Sequence, residues 1–112
     1  MGLFGKKTPE ILDELQYRCY GAELPHEHAR ERMQVISKLK IGDDLIFKPA
    51  PTKDFPNNIG VFTKKGAEIG FLHYTTVNAL KTYGNRKMSV TVKSIDKSEH
   101  GYTVLMKILI YK

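Results

Sequence analysis

One cysteine and four histidines are the side chains best suited to catalysis or metal binding. Cys19 could act as a nucleophile if the fold brought His26, His28 or His73 beside it. A zinc site would need the same residues to converge, but His26 and His28 are two positions apart and would face different sides of a helix. No carboxylate pair or phosphate-binding loop is marked by its spacing. We therefore predict no enzyme, no catalytic residue, no metal and no cofactor, and a reduced, inert Cys19.

Aromatic side chains interleaved with basic ones indicate another chemistry, the binding of nucleic acid. Single strands are held without sequence readout by a basic groove and by rings on which bases stack. The candidate binding residues are Lys53, Asp54, Phe55 and Asn57 as one wall, Phe71, His73 and Tyr74 as the other, and Arg86 and Lys87 to steer phosphates. His73 and Tyr74 open a predicted helix, where free backbone N–H groups favour an anion.

Each of these rings could instead belong to the core. Phe55 lies in a loop with three prolines, and we favour burial for it because burying a phenylalanine is worth ~2–3 kcal/mol. Phe71, at the end of a predicted strand, is also expected to contact the core.

The charge balance agrees with a polyanionic partner. The formal net charge is +6, and the stretch from Leu80 to Lys112 holds seven basic residues against two acidic ones. Such a balance attracts nucleic acid. The alternative is that strands place lysines on their solvent-facing side and on exposed edges.

Length and composition place limits on the architecture. A chain of 112 residues forms one domain, and no apolar run approaches the ~20 residues that span a bilayer. The first residues lack the apolar core of a secretory signal, and one cysteine cannot form an internal disulfide. We expect a cytoplasmic protein with no membrane contact.

Hydrophobic periodicity predicts the central elements. Two apolar runs, Ile59–Phe62 and Ala67–Leu72, flank a short turn with Gly66 and predict a β-hairpin. The stretch from His73 to Tyr83 follows as a helix, and helical spacing also predicts one from His26 to Lys40.

The remaining elements are mostly strands. Residues 16–24, 45–47, 88–95 and 104–110 are predicted strands, and both faces of the last are largely apolar, so it should be central or close a barrel. Thr8-Pro9-Glu10 resembles a helix start, which predicts a short helix over Thr8–Leu15. We expect residues 1–15 to form an extension that could dock on a protein partner, and residues 16–112 to form the domain.

The order of these pieces resembles a HIRAN domain. The resemblance rests on Leu39–Asp43 before a strand, a loop with prolines, Asn57–Val61, and Gly66–Leu72 leading into a helix. Tyr20-Gly21-Ala22 and the closing strands extend it to about residues 16–112.

The resemblance implies a mainly β fold, a small OB-like barrel of five to six strands with two to three short helices. In fork-remodelling, helicase-like proteins such a domain captures the 3′-hydroxyl end of single-stranded DNA, and the family also includes small stand-alone bacterial proteins. This chain departs from the family pattern in its loop, where Asp54 and Phe55 hold the aromatic and acidic positions in swapped order. Glu23-Leu24 also replaces an Arg-aromatic pair.

Together these observations predict a module that binds nucleic acid, most specifically single-stranded DNA or its ends. The alternative is a domain for protein interaction or self-association that has lost the capture of DNA ends.

Overall fold

The computed structural model describes residues 10–112 of the chain. This part contains six strands and two helices. The strands are β1 (Ile11–Tyr20), β2 (Asp44–Pro49), β3 (Ile59–Thr63), β4 (Glu68–Leu72), β5 (Met88–Ser98) and β6 (Gly101–Tyr111). The helices are α1 (Ala29–Ile36), between β1 and β2, and α2 (Tyr74–Lys81), between β4 and β5. Neither helix has the length and apolarity needed to cross a membrane.

The strands close into an antiparallel barrel in the order β1-β4-β3-β2-β5-β6. Long ladders join β6 to β5 and to β1, shorter ladders join β2 to β3 and β3 to β4, and the two shortest ladders complete the circle. One is Cys19 with Leu72 and Tyr20 with Phe71, and the other is Asp44 with Thr91 and Leu45 with Val90. The predicted fold class, a mainly β, small OB-like barrel of five to six strands with few helices, is confirmed.

Alternation along β6 builds the centre of the core. Met106, Ile108 and Ile110 are fully buried, and the residues between them are half-buried. β6 pairs with a neighbour along each edge, which satisfies its backbone, while its inward side chains fill the core and its outward ones stay half-buried, in keeping with its nearly continuous apolar sequence. The prediction that this strand is central or closes a barrel is confirmed, because β6 is paired along both edges in a closed barrel.

The predicted hairpin and two of the three predicted helices are present. β3 and β4 are joined through a turn in which Gly66 has a φ of +93°. α1 is shorter than predicted, since it begins at Ala29 and ends at Ile36, within the predicted range of His26 to Lys40. α2 begins after His73, whose Nδ1 accepts a hydrogen bond from the Thr75 backbone N–H (3.2 Å).

The helix predicted over Thr8–Leu15 is wrong for the residues that the structure describes. Ile11–Leu15 belong to β1, which continues past position 15, while Thr8 and Pro9 lie outside the described residues. A helix of two turns is marginal by itself, and pairing with β6 satisfies the same backbone groups in an extended form. The strand predicted over residues 16–24 ends early, because the chain leaves β1 at Gly21 with a φ of +102°.

Gly70 allows the barrel to close between β1 and β4. A Cβ at this position would collide with the Tyr20 carbonyl oxygen and approach the Cys19 sulfur to 2.7 Å. Since β1 and β4 pair at just these two residues, a side chain here would separate the strands at their point of contact.

We predict that Gly70→Ala lowers the free energy of unfolding by about 2–4 kcal/mol, because the new methyl group meets backbone atoms that cannot move independently. Gly66→Ala is the matched control. It also imposes a side chain on a left-handed φ, but into open space, so it should cost about 1–2 kcal/mol. Urea unfolding measures both, and equal losses for the two variants would contradict this account of closure.

Candidate nucleic-acid interface

A cavity of about 500 Å³ lies where the chain leaves β1, where α2 begins and where the loop between β2 and β3 folds back. Its lining residues are His26, Glu27, His28, Arg32, Thr52, Phe55, Asn58, Phe71, Leu72, His73, Tyr74 and Val77. Aromatic and imidazole rings dominate this list, and such rings can stack on a planar ligand.

Hydrogen bonds within the loop between β2 and β3 hold Phe55 at the cavity. The Phe55 backbone N–H donates to Thr52 Oγ1 (3.0 Å), and the Phe55 carbonyl accepts from the Thr52 and Asn58 N–H groups. The Asn58 side chain in turn donates to the Ala50 carbonyl (2.9 Å). The loop is therefore ordered by its own polar groups and does not depend on burial of its ring.

Phe55 is 68% exposed, so the prediction that it is buried in the core is wrong. The strands on either side already fill the barrel interior, and the hydrogen bonds of the loop keep the ring outside it. An ordered loop that displays a large ring places that ring where a ligand can reach it.

The start of α2 supplies the second group of rings. The His73 and Tyr74 ring centroids are 4.5 Å apart, and Tyr20 lies 5.6 Å from His73. Tyr74 is 70% exposed. Because the Thr75 N–H donates to Nδ1 of His73, that nitrogen is an acceptor, and the N–H donor of the ring is Nε2.

Arg32 is the buried charge beneath the cavity. It is 6% exposed and donates from Nε and Nη2 to Glu68 Oε1 (2.9 and 2.7 Å), and from Nη1 to the Gly21 carbonyl (3.0 Å). Its guanidinium also lies 5.5 Å from the centre of the Phe71 ring. A Cβ at Gly21 would collide with Nη1 and with Phe71, so glycine is needed where α1 meets the end of β1.

His26 is held in a defined tautomer by its neighbours. Its Nδ1 accepts from the His28 backbone N–H (3.2 Å) and lies 3.3 Å from Arg32 Nη1, which can only donate. The pKa of His26 is lowered, first by partial burial and then by the charge of Arg32. At pH 7 this ring is therefore neutral and offers its Nε2–H as a donor.

The cavity itself carries little free positive charge. Arg32 is paired with Glu68, and Glu27 adds a carboxylate to the lining. The chemistry gathered here is that of rings, N–H donors and a few hydroxyl and amide groups. The exposed Lys53, on the loop between β2 and β3, supplies a cation outside this lining.

Four of the predicted site residues meet at this cavity: Phe55, Phe71, His73 and Tyr74. Lys53, Asp54 and Asn57 are exposed on the same loop but do not line the cavity, so they flank it.

Arg86 and Lys87 are not among the residues that line this cavity, and their role in steering phosphates stays a prediction. The Lys87 carbonyl accepts from the Tyr111 N–H, next to Ile11 at the opposite end of β1 from Tyr20. α2 causes this separation, since its eight residues carry the chain roughly 12 Å away from the cavity.

Sequence reasoning missed Arg32, Thr52 and Asn58 as lining residues, and it considered His26 and His28 as metal ligands or as bases beside Cys19. A signal for Arg32 was available, because it shares the inward face of α1 with Ala29 and Ile36. An arginine on an apolar face needs a partner, which predicts an ion pair. Glu23 and Leu24, which replace the Arg-aromatic pair of the HIRAN pattern, lie at the β5–β6 turn. There Glu23 forms an isolated β-bridge with Gly101.

A second cavity, of about 660 Å³, lies between the end of α1 and the turn from β3 to β4. Its lining includes both basic and acidic side chains. The basic ones are Lys38, Lys64 and Lys65, and the acidic ones are Asp43 and Asp44. It contains none of the predicted site residues and no aromatic ring.

Cys19 faces the core, away from solvent. Burial raises the pKa of its thiol to about 12, so the reactive thiolate is suppressed at neutral pH. Within residues 10–112, no group of three His, Cys, Asp or Glu side chains is placed to hold a metal ion.

Comparison of the chain with protein-family models, curated proteins and solved structures gave no match. The resemblance to HIRAN domains therefore remains a prediction, and the case for function depends on the geometry of the cavity.

We predict that Cys19 resists alkylation in the native protein. Because the thiol is buried and has a raised pKa, iodoacetamide should label it far more slowly than the unfolded chain, and the low rate should keep rising with pH without levelling off near about pH 9, where an ordinary thiol does. Labelling in denaturant supplies the control for reagent activity. Rapid labelling of the folded protein would contradict the prediction and would restore Cys19 as a candidate nucleophile.

We further predict that Arg32→Met lowers the free energy of unfolding by about 2–4 kcal/mol, because it leaves Glu68 without its partner and the Gly21 carbonyl without its donor. Arg30→Met, on the exposed side of the same helix, is the matched control and should change stability by less than about 0.5 kcal/mol. Thermal or urea unfolding compares the two. Similar stabilities would show that the buried guanidinium does not support this end of the barrel.

Proposed function

We propose that this protein binds single-stranded nucleic acid, most specifically single-stranded DNA or its end, in the ring-lined cavity. The observation that carries the proposal is the display of two large rings, Phe55 and Tyr74, at one cavity. Leaving each ring in water forgoes the ~2–3 kcal/mol that burial would provide. Two such rings at one concave site favour a planar ligand that covers them.

The size and polar groups of the cavity support the same ligand class. About 500 Å³ is within the range of sites that enclose small ligands, so one or two nucleotides could enter. The rings of His26 and His73, whose Nδ1 atoms accept backbone N–H groups, offer Nε2–H donors, and Thr52 and Asn58 add hydroxyl and amide groups. These groups match the acceptor and donor edges of a base.

Long-range charge supports the proposal without defining the site. The net charge of +6 attracts a polyanion from a distance, whereas stacking would hold it in place. The resemblance to HIRAN domains points to a DNA end and to a cytoplasmic module. Asp54, beside Phe55 on the loop, is the carboxylate that could accept a hydrogen bond from a terminal hydroxyl.

We predict that Phe55→Ala and Tyr74→Ala each weaken the binding of a fluorescent single-stranded DNA by about 5- to 150-fold, since a stacked base is worth ~1–3 kcal/mol. Fluorescence anisotropy at low salt measures the affinity. Ile41→Ala is the matched control, because it truncates an equally exposed apolar side chain outside the cavity. Arg86→Ala should also have a smaller effect than Tyr74→Ala.

The same assay distinguishes a DNA end from the body of the strand. Tighter binding of a 3′-hydroxyl end than of a 3′-phosphate end would support end recognition, and equal binding would limit the proposal to a strand-binding site. Affinity should fall with salt, with a slope of about −0.7 for each phosphate contact. Absence of binding at low salt, or binding that both cavity variants retain, would overturn the proposal.

A further inference from the structure

β1 has one edge without a strand partner along most of its length. It pairs with β6 from Ile11 to Cys19, but with β4 at Cys19 and Tyr20 alone. Within residues 10–112, the edge that faces β4 is therefore unpaired from Ile11 to Arg18. An open edge of this kind is a template for pairing with another strand.

The phase of the hydrogen bonds shows which residues face the open side. The Tyr102 N–H donates to the Ala22 carbonyl, and the Lys112 N–H donates to the Glu10 carbonyl. The backbone N–H and C=O groups of the even-numbered residues of β6 are therefore directed towards β1. The residues of β1 that lie opposite even-numbered positions of β6 are Asp13, Leu15 and Tyr17, opposite Ile110, Ile108 and Met106. The backbone N–H and C=O groups of Glu14, Gln16 and Arg18 are consequently directed to the open edge.

The side chains beside this edge are suited to contact with protein. Glu14, Gln16 and Arg18 are exposed on the outer face, one strand period apart. Ile11 and Leu12, which precede them, are 51% and 42% exposed. Opposite charges four residues apart on one strand can meet their counterparts on a second, antiparallel copy.

We propose that two copies of this chain associate through β1, antiparallel and two-fold symmetric about Gln16. In this register Glu14 lies opposite Arg18 of the partner subunit, and Arg18 lies opposite the partner's Glu14. Each facing pair among Glu14, Gln16 and Arg18 would exchange two backbone hydrogen bonds. β4 occupies the edge from Cys19, which limits the shared ladder to Glu14–Arg18 on each copy.

Charge selects this register from the alternatives. A two-fold axis at Glu14 would place two glutamates opposite each other, and an axis at Arg18 would do the same with two arginines. An axis at Leu15 or Tyr17 would create no Glu–Arg pair. The axis at Gln16 creates two such pairs, and like charges opposite each other are destabilising in a sheet.

This surface is distinct from the ring-lined cavity. None of Glu14, Gln16 and Arg18 lines that cavity, so self-association and nucleic-acid binding can be tested separately. In this dimer the residues near position 15 contact the partner as the edge of a strand, and not as the helix that was predicted to dock on a partner.

Sedimentation velocity over a range of protein concentrations tests the proposal. The full chain should form a dimer, and Gln16→Pro should weaken dimerisation at least about 10-fold, because proline removes the central N–H donor from the edge. This N–H is not used within the barrel, so the variant should keep its fold, which circular dichroism can verify. Gln16→Ser, which keeps the N–H, is the matched control and should dimerise as the wild type does.

A charge swap tests the register independently of proline. Glu14→Arg alone and Arg18→Glu alone should each weaken the dimer by placing like charges opposite each other. The double variant E14R/R18E should restore it, because the pairs are then reversed but complementary. A chain that stays monomeric at roughly 1 mM, or a dimer that neither Gln16→Pro nor the single charge reversals weaken, would overturn the proposal.

Discussion

The buried guanidinium of Arg32 is the interaction on which the ring-lined end of the barrel depends. It ties α1 to Glu68 of β4 and to the carbonyl of Gly21, and it lies against the ring of Phe71. A buried charge is stable if its donors find partners, and here they reach Glu68, the Gly21 carbonyl and Nδ1 of His26. The floor of the cavity is therefore set by electrostatics as well as by packing, and Gly21 must lack a side chain for it to form.

The way in which the barrel closes links the two proposed surfaces. β1 meets β4 at two residues, with Gly70 permitting the close approach, and the chain then turns away into the cavity. The brevity of this contact leaves room for rings from the β2–β3 loop and from α2 at one end of β1. Among residues 10–112 it also leaves the rest of that β1 edge unpaired, and this is the edge to which we propose that a second copy adds. One sheet geometry thus produces both a concave site and a free strand edge.

Local patterns predicted most of the fold. Period-2 alternation around Gly66 marked the β3–β4 hairpin, and the doubly apolar sequence of β6 marked a strand covered on both sides. Pairing between strands distant in sequence was harder to predict. The local pattern of Ile11–Leu15 suits a short helix, and these residues form a strand because they pair with β6. For the site, Phe71, His73 and Tyr74 could be predicted from their place at the end of a strand and the start of a helix. The exposure of Phe55 could not, since it depends on hydrogen bonds within a loop.

The most direct measurement of the central claim is a chemical-shift map of the protein titrated with a short single-stranded DNA. We expect the largest changes in the backbone and ring signals of Phe55, Tyr74 and His26, with small changes at Arg86 and Lys87. Changes centred on the basic surface near Arg86 would show that charge alone holds the strand. Absence of changes at the cavity would contradict the assignment of this ring-lined site to nucleic acid.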